Sequence, residues 1–231
     1  NNKIKHLASG TLRGLVQLYQ LFLDSNKLKS VDQAVFNDLI SLRNLYLNQN
    51  SLNHVERGTF AGLGNLLSLS LDSNSIVNIQ SGAFKGLDKL AYLNLYDNGI
   101  RSIEKKAFEG QTKLIYLNLA SNRIESLDNE TFVSLSSSVE TLLLELNCLD
   151  TLELGLFRNM IRLKILTLSY KIIQRLDEYV FRDLQSLETL IISFNWIKAV
   201  SSESFYGLKS LKTIYITLGS QLNTVDLEMF L

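Results

Sequence analysis

One apolar pattern recurs through this chain every 24 residues, and that period leaves few folds open. Its clearest copy is Leu42-Arg43-Asn44-Leu45-Tyr46-Leu47-Asn48-Gln49-Asn50-Ser51-Leu52, of the form LxxLxLxxNxL. Residues 18–28 precede it at the same spacing, and 66–76, 90–100 and 114–124 follow. The copy at 139–149 arrives one residue late because Ser136-Ser137-Ser138 adds a residue; 163–173 and 187–197 then resume the period. A single unit of this size cannot bury its own leucines. Stacked units can, so the repeat predicts a quasi-one-dimensional solenoid instead of a closed globule.

Within each unit the LxL core alternates with period two and reads as a short strand with Leu inward. Nine such strands, stacked about 4.8 Å apart, form a parallel sheet lining a concave face roughly 40 Å long. Ten residues after the asparagine comes a phenylalanine: Phe36, Phe60, Phe84, Phe108, Phe132, Phe157, Phe181 and Phe205, with Phe230 in the last unit. Nine of the eleven phenylalanines thus share one place in the repeat, which predicts a second buried column toward the convex side. Three residues on stands Leu39, Leu63, Leu87, Leu135, Leu184 or Leu208, replaced in two units by Met160 and Gln111. The expected fold is an α/β solenoid with a parallel concave sheet and irregular or short helical convex segments. It forms one domain, residues 1–231, of nine units after a partial one at 1–17. The boundaries fall at 18–41, 42–65, 66–89, 90–113, 114–138, 139–162, 163–186, 187–210 and an irregular 211–231.

The asparagine column is Asn2, Asn26, Asn50, Asn74, Asn98, Asn122, Asn147 and Asn195. A short amide at a bend leaving a strand can satisfy backbone groups that the sheet leaves unpaired. We therefore read the row as a buried structural ladder and not as a ligand site. Lys171 and Gly219 take this place in two units, whose bends should be built differently.

The full motif, LxxLxLxxNxLxx(L/I/V)xxxxFxxLxx, resembles the "typical" class of extracellular leucine-rich repeats. That class is found in Toll-like receptors, Slit-type guidance proteins, leucine-rich-repeat hormone receptors and lamprey variable lymphocyte receptors. The likeness runs through essentially the whole chain, and Gly82-Ala83-Phe84-Lys85-Gly86-Leu87 is especially similar to animal cell-surface members. It implies a horseshoe that binds protein ligands, secreted or at the cell surface, in receptor, adhesion or innate-immune recognition. It implies neither enzyme activity nor a cofactor. The chain departs from the class in having no proline and a single cysteine, Cys148, so the usual disulfide-rich caps are missing and a longer parent chain is expected. The alternatives are a cytosolic leucine-rich-repeat scaffold, or the substrate-recognition arm of an enzyme whose catalytic part lies elsewhere.

Charge narrows the partner. Lys plus Arg and Asp plus Glu both number 23, whereas nucleic-acid binders carry a basic excess, so no nucleic-acid partner is expected. No apolar run approaches the roughly 20 residues of a membrane helix, so direct insertion by this segment is not expected either.

The variable outward strand positions carry the candidate sites. Early units present Gln20, Phe22 and Asp24; Asn44, Tyr46 and Asn48; Ser68, Ser70 and Asp72; Tyr92, Asn94 and Tyr96; and Tyr116, Asn118 and Ala120. Tyrosine gives large contact area at low entropic loss, and Ser and Asn give adaptable hydrogen bonds. Tyr46, Tyr92, Asn94, Tyr96, Asp97 and Tyr116, with Arg123 on the nearby ascending loop, are therefore the candidate ligand-binding set; solvated strand surface is the alternative. Later units are more apolar. Leu143, Ile165, Ile191 and Tyr215 are expected side by side, with Thr167 as the polar neighbour of Ile165. Leu146, Tyr170, Phe194 and Trp196 are expected at strand ends. An exposed apolar patch of this kind marks a protein interface, here a homo- or heterodimer contact, unless an irregular segment covers it.

Catalytic and metal motifs are absent. His6 and His54 occupy equivalent places two repeats apart, about 10 Å by strand spacing, too far to share a metal. Asp24, Asp72 and Asp97 are read as one concave position interrupted by Asn48, hence as solvated acids. Cys148, beside Asn147, is expected near the surface as a free thiol. Asn129-Glu130-Thr131 is the one glycosylation sequon, placed between strand and phenylalanine column.

Overall fold

Residues 2–169, 173–193, 197–201 and 203–216 are described by the computed structural model. The seven LxL segments, with Leu190-Ile191-Ile192 and Ile214-Tyr215-Ile216, form one nine-stranded parallel sheet whose strands lie in chain order: Gln20–Phe22, Asn44–Tyr46, Ser68–Ser70, Tyr92–Asn94, Tyr116–Asn118, Thr141–Leu143, Ile165–Thr167, Thr189–Ile192 and Thr213–Ile216. Register follows the repeat, with Leu45 opposite Leu69 and Leu69 opposite Leu93. The inward leucines, including Leu45, Leu47, Leu69, Leu71, Leu93 and Leu95, are buried.

Each strand leaves through a tight bend. Ser25, Gln49, Ser73, Asp97, Ser121 and Leu146 all hold φ between 51° and 57° there, the left-handed region that non-glycine residues rarely adopt. The following asparagine secures it. The Asn50 Nδ2 donates to the Leu47 carbonyl at 3.0 Å and to Leu23 of the preceding unit at 3.0 Å, and its Oδ1 accepts the Leu28 N–H at 3.0 Å. Asn74, Asn98, Asn122 and Asn147 repeat this pattern. The row is thus the structural ladder expected, but only Asn122 and Asn147 are fully buried; Asn26, Asn50, Asn74 and Asn98 keep one edge near solvent. Asn195, Lys171, Gly219 and Phe230 lie outside the described residues.

The convex side is made of three-residue turns. The N–H of Leu39, Leu63 and Leu87 donates to the carbonyl of Phe36, Phe60 and Phe84, which explains the FxxL spacing: one turn places both side chains inward. The phenylalanine rings stack in two runs, Phe36 to Phe132 with centroids 5.8–6.4 Å apart and Phe157 to Phe205 at 6.1–6.3 Å. Between the runs lies the unit with the added serine. It holds the one short helical segment among the described residues, the 3-10 turn Val133–Leu135, and the Ser138 hydroxyl donates to the Leu135 carbonyl at 3.3 Å. Gln111 stays buried in a leucine's place because its Nε2 donates to the Phe84 carbonyl at 2.9 Å. Gly207, at φ +98°, is required by close packing, since a Cβ would stand 2.2 Å from the Arg182 carbonyl oxygen.

Candidate ligand-binding face

The concave surface is not uniform. In the first half a strand carrying only Ser68 and Ser70 lies between strands carrying tyrosines, with Tyr46 opposite Ser70, and Ser68 opposite Tyr92. Two small side chains between large ones leave a hollow of about 330 Å³, lined by Tyr46, Ser68, Ser70, Tyr92, Asn94 and Tyr116. Its walls are pre-set. Tyr46 stacks flat on Phe22, with centroids 4.6 Å apart and 4° between planes. Across the hollow Tyr92 and Tyr116 lie 6.3 Å apart, tilted by 35°. Burial, opposed by the Asn118 hydrogen bond and aided by the charge of Glu145, raises the Tyr116 phenol above its ordinary 10.0.

The polar groups around the hollow hold one another. The Ser70 hydroxyl and the Asn94 amide both donate to the Asp72 Oδ1, the latter at 3.0 Å. The Asn94 Oδ1 accepts the Tyr96 N–H at 3.2 Å. The Asn118 amide donates to the Tyr116 phenol oxygen at 3.3 Å and accepts the Ala120 N–H at 3.0 Å. This network was not legible from spacing, because it depends on side-chain reach between adjacent strands.

Four of the seven predicted ligand-binding residues, Tyr46, Tyr92, Asn94 and Tyr116, come together in the hollow. Tyr96 is exposed farther along its strand's exit. Asp97 is not in the column of Asp24 and Asp72, which continues through Asn48 to Tyr96. It sits one residue later on the left-handed bend and accepts the Ser73 hydroxyl at 3.0 Å. Arg123 lies beyond the buried amide of Asn122, exposed, with its N–H on the Ile100 carbonyl at 2.8 Å. Ala120 is buried, because a methyl between longer neighbours on a concave surface is out of reach of water.

In the second half the register corrects the expected row. Leu143 pairs with Thr167, Thr167 with Ile191, and Ile191 with Tyr215. Ile165 stands in the adjacent column between Thr141 and Thr189, since residues two apart on a strand occupy different columns. Thr167 is buried and its hydroxyl bonds Glu145, so it breaks the apolar row with a satisfied polar group. Ser169 and Ser193 are buried as well. Leu146 is exposed on its bend. Tyr170, Phe194 and Trp196 lie outside the described residues.

One place before each strand the halves differ again. Tyr19, Leu67 and Ile115 are exposed there, with Arg43 between the first two and Ala91 between the last two. The same position then reads Glu140, Lys164, Glu188 and Lys212, and these pair: Lys164 to Glu140 at 2.7 Å and Lys212 to Glu188 at 2.8 Å, with Arg162 also on Glu140 at 3.1 Å. Hydrogen bonds from Lys164 and Lys212 hold the two carboxyls below their ordinary value.

The remaining polar features are ordinary surface pairs. His6 faces Asp32 at 3.5 Å and His54 faces Glu56 at 3.4 Å. Among the described residues no group of three His, Cys, Asp or Glu is placed to hold a metal ion, and no helix is long and apolar enough to cross a membrane. Cys148 is half-buried and unbridged. Asn129 is exposed on a turn that Lys105 braces from both sides, at 3.2 Å from Asp128 and 3.6 Å from Glu130.

Comparison with known proteins agrees with this architecture. A leucine rich repeat family model matches residues 16–76, 64–124, 112–170 and 161–222. None of the curated proteins compared with the chain matches it. Among solved structures, a chain of the Toll–Spatzle complex, described as a hub in Drosophila development and innate immunity, superposes with a TM-score of 0.87 at 20% identity over 94% of this chain. A chain of the TLR13–ssRNA13 complex does so with a TM-score of 0.67 at 23% identity over 99%. This chain spans 30% and 41% of those two chains. One of them is described in complex with an RNA, so the fold lends no support to excluding nucleic acid.

Proposed function

Since this chain belongs to the leucine-rich-repeat family, we propose that residues 1–231 act as one recognition domain whose concave face holds a protein ligand. The parent protein is a receptor, adhesion or innate-immune molecule, and this part of it is secreted or displayed at the cell surface. The observation that carries the reading is the tyrosine-walled hollow: half-exposed aromatics held rigid by stacking, beside amides fixed by their neighbours. Such groups bind with little loss of side-chain entropy. The exposure of Asn129 supports use of the sequon, and two neighbours of the same fold are described as Toll and TLR13 complexes. Leu143, Ile191 and Tyr215, with Ile165 beside them, form a second contact surface, for a homo- or heterodimer.

The test is expression through a eukaryotic secretory pathway. Intact mass should show a glycan on Asn129. The secreted chain is then screened against a panel of cell-surface and secreted proteins. A partner should bind the parent chain and the convex control Ile161→Ser alike, and lose at least about tenfold in affinity to Tyr46→Ala/Tyr92→Ala, as hot-spot aromatics do. Binding that survives the double substitution would place recognition elsewhere.

A further inference from the structure

The charge of the concave face differs from that of the whole chain. Lysines and arginines equal aspartates and glutamates overall. Yet among the described residues no Lys, Arg or His occupies an outward strand position, while Asp24, Asp72 and Glu145 do. The basic residues stand elsewhere. Arg43, which precedes its strand, donates to the Asn65 carbonyl at 3.1 Å, and Lys164 and Lys212 are paired with glutamates before theirs. One of the three acids, Asp72, stands beside the hollow. Asp72 is held by Ser70 and Asn94, both lining residues, through one oxygen only; its Oδ2 has no hydrogen bond among the described residues. Glu145, farther along the sheet, is engaged by the Thr167 hydroxyl.

Resting on the proposed recognition role of this face, we infer that the hollow between Tyr46 and the Tyr92–Tyr116 pair takes a cationic side chain, arginine or lysine, projected from a protein ligand. Tyrosine faces attract a cation through the ring quadrupole, most strongly where water is displaced. The Ser68–Ser70 floor gives the depth for a long aliphatic stem, and the free Asp72 oxygen gives the charged head an acceptor. An acidic side chain would meet Asp72 with no cation at an outward strand position to offset it. A purely apolar one would leave that oxygen without a new partner and gain nothing from the field.

A displayed library of short random peptides, selected on the folded chain and counter-selected on Tyr92→Ala/Tyr116→Ala, tests this. Enriched peptides should share an arginine or lysine at one place. Replacing it by glutamine should weaken binding about tenfold, the scale of a partly desolvated cation–π contact. Tyr92→Leu, which keeps apolar area and removes the polar ring face, and Asp72→Asn, which keeps shape and removes charge, should each weaken the same peptides. Raised salt should do so too. Peptides that depend on the tyrosines but share an apolar or acidic residue would overturn the cation and leave the recognition role standing. Failure to enrich any tyrosine-dependent peptide would overturn both.

Discussion

In the first half of the molecule the places before the strands are mostly apolar, with Leu67 and Ile115 exposed, Ala91 half-buried and Arg43 the one charged residue, while the strands themselves present tyrosines, serines and amides. In the second half the arrangement is reversed: the position before the strand is closed by the Glu140–Lys164 and Glu188–Lys212 pairs, and apolar Leu143, Ile191 and Tyr215 occupy the middle of the face. The inward residues are of the same kind in both, apolar side chains in the strand and phenylalanine in the turn. Leucine, asparagine and phenylalanine hold a common frame, and the outward positions vary because they touch solvent and one another, on their own strand and the next, without entering the core. Two surfaces of opposite character can therefore share one sheet without a change of backbone.

If only the surfaces differ, the scaffold should fail equally in both halves. Phe84→Ala and Phe181→Ala each empty a fully buried ring position, and each should destabilise by about 3–5 kcal/mol. Denaturant unfolding measures this. A loss confined to one half would show that the frame, too, is divided. At the surface, Ile165→Ser/Ile191→Ser/Tyr215→Ser should abolish self-association in light scattering while stability changes by no more than roughly 1 kcal/mol. A parent chain that is already monomeric would remove the homodimer and leave the early half as the principal interface.

The smallest effect concerns the charged edge. The hydrogen bond from Lys164 holds the folded Glu140 carboxyl below its ordinary 4.5. Its contribution is then fully present above that value and lost as pH falls through the lower folded value. Lys164→Gln should weaken this acid-side dependence, with Arg162 keeping part of it, and at near-neutral pH it should lower stability by less than about 1 kcal/mol, as exposed pairs do. Because the matching early position holds Tyr19, Arg43, Leu67, Ala91 and Ile115, with no carboxylate, no such pH dependence should be traceable to that edge. Acid titration of the parent and the variant compares them.

The frame was open to reading because it is periodic. Leu45, Asn50 and Phe60 recur at fixed offsets, and a unit that cannot bury its own leucines has to stack; the strand, the amide ladder and the ring column follow from that alone. The column in which an outward residue stands was less secure. Asp97 was grouped with Asp24 and Asp72, and Ile165 with Leu143 and Ile191, until the pairing set each one place or one column away. The period already separates them, since Asp97 falls 25 residues after Asp72 and Ile165 falls 24 after Thr141, and the strand pairing keeps that register.

The amino-acid order by itself determined a parallel solenoid with its variable residues on one concave sheet, since burial of the leucines permits nothing else. Only the tertiary structure decided which of those residues act together. The hollow exists because Ser68 and Ser70 fall between Tyr46 and Tyr92, and Asp72 is oriented because Asn94 reaches it from the next strand at 3.0 Å. Those contacts join residues more than twenty apart in sequence, and their distances are set by strand pairing, which no single unit contains.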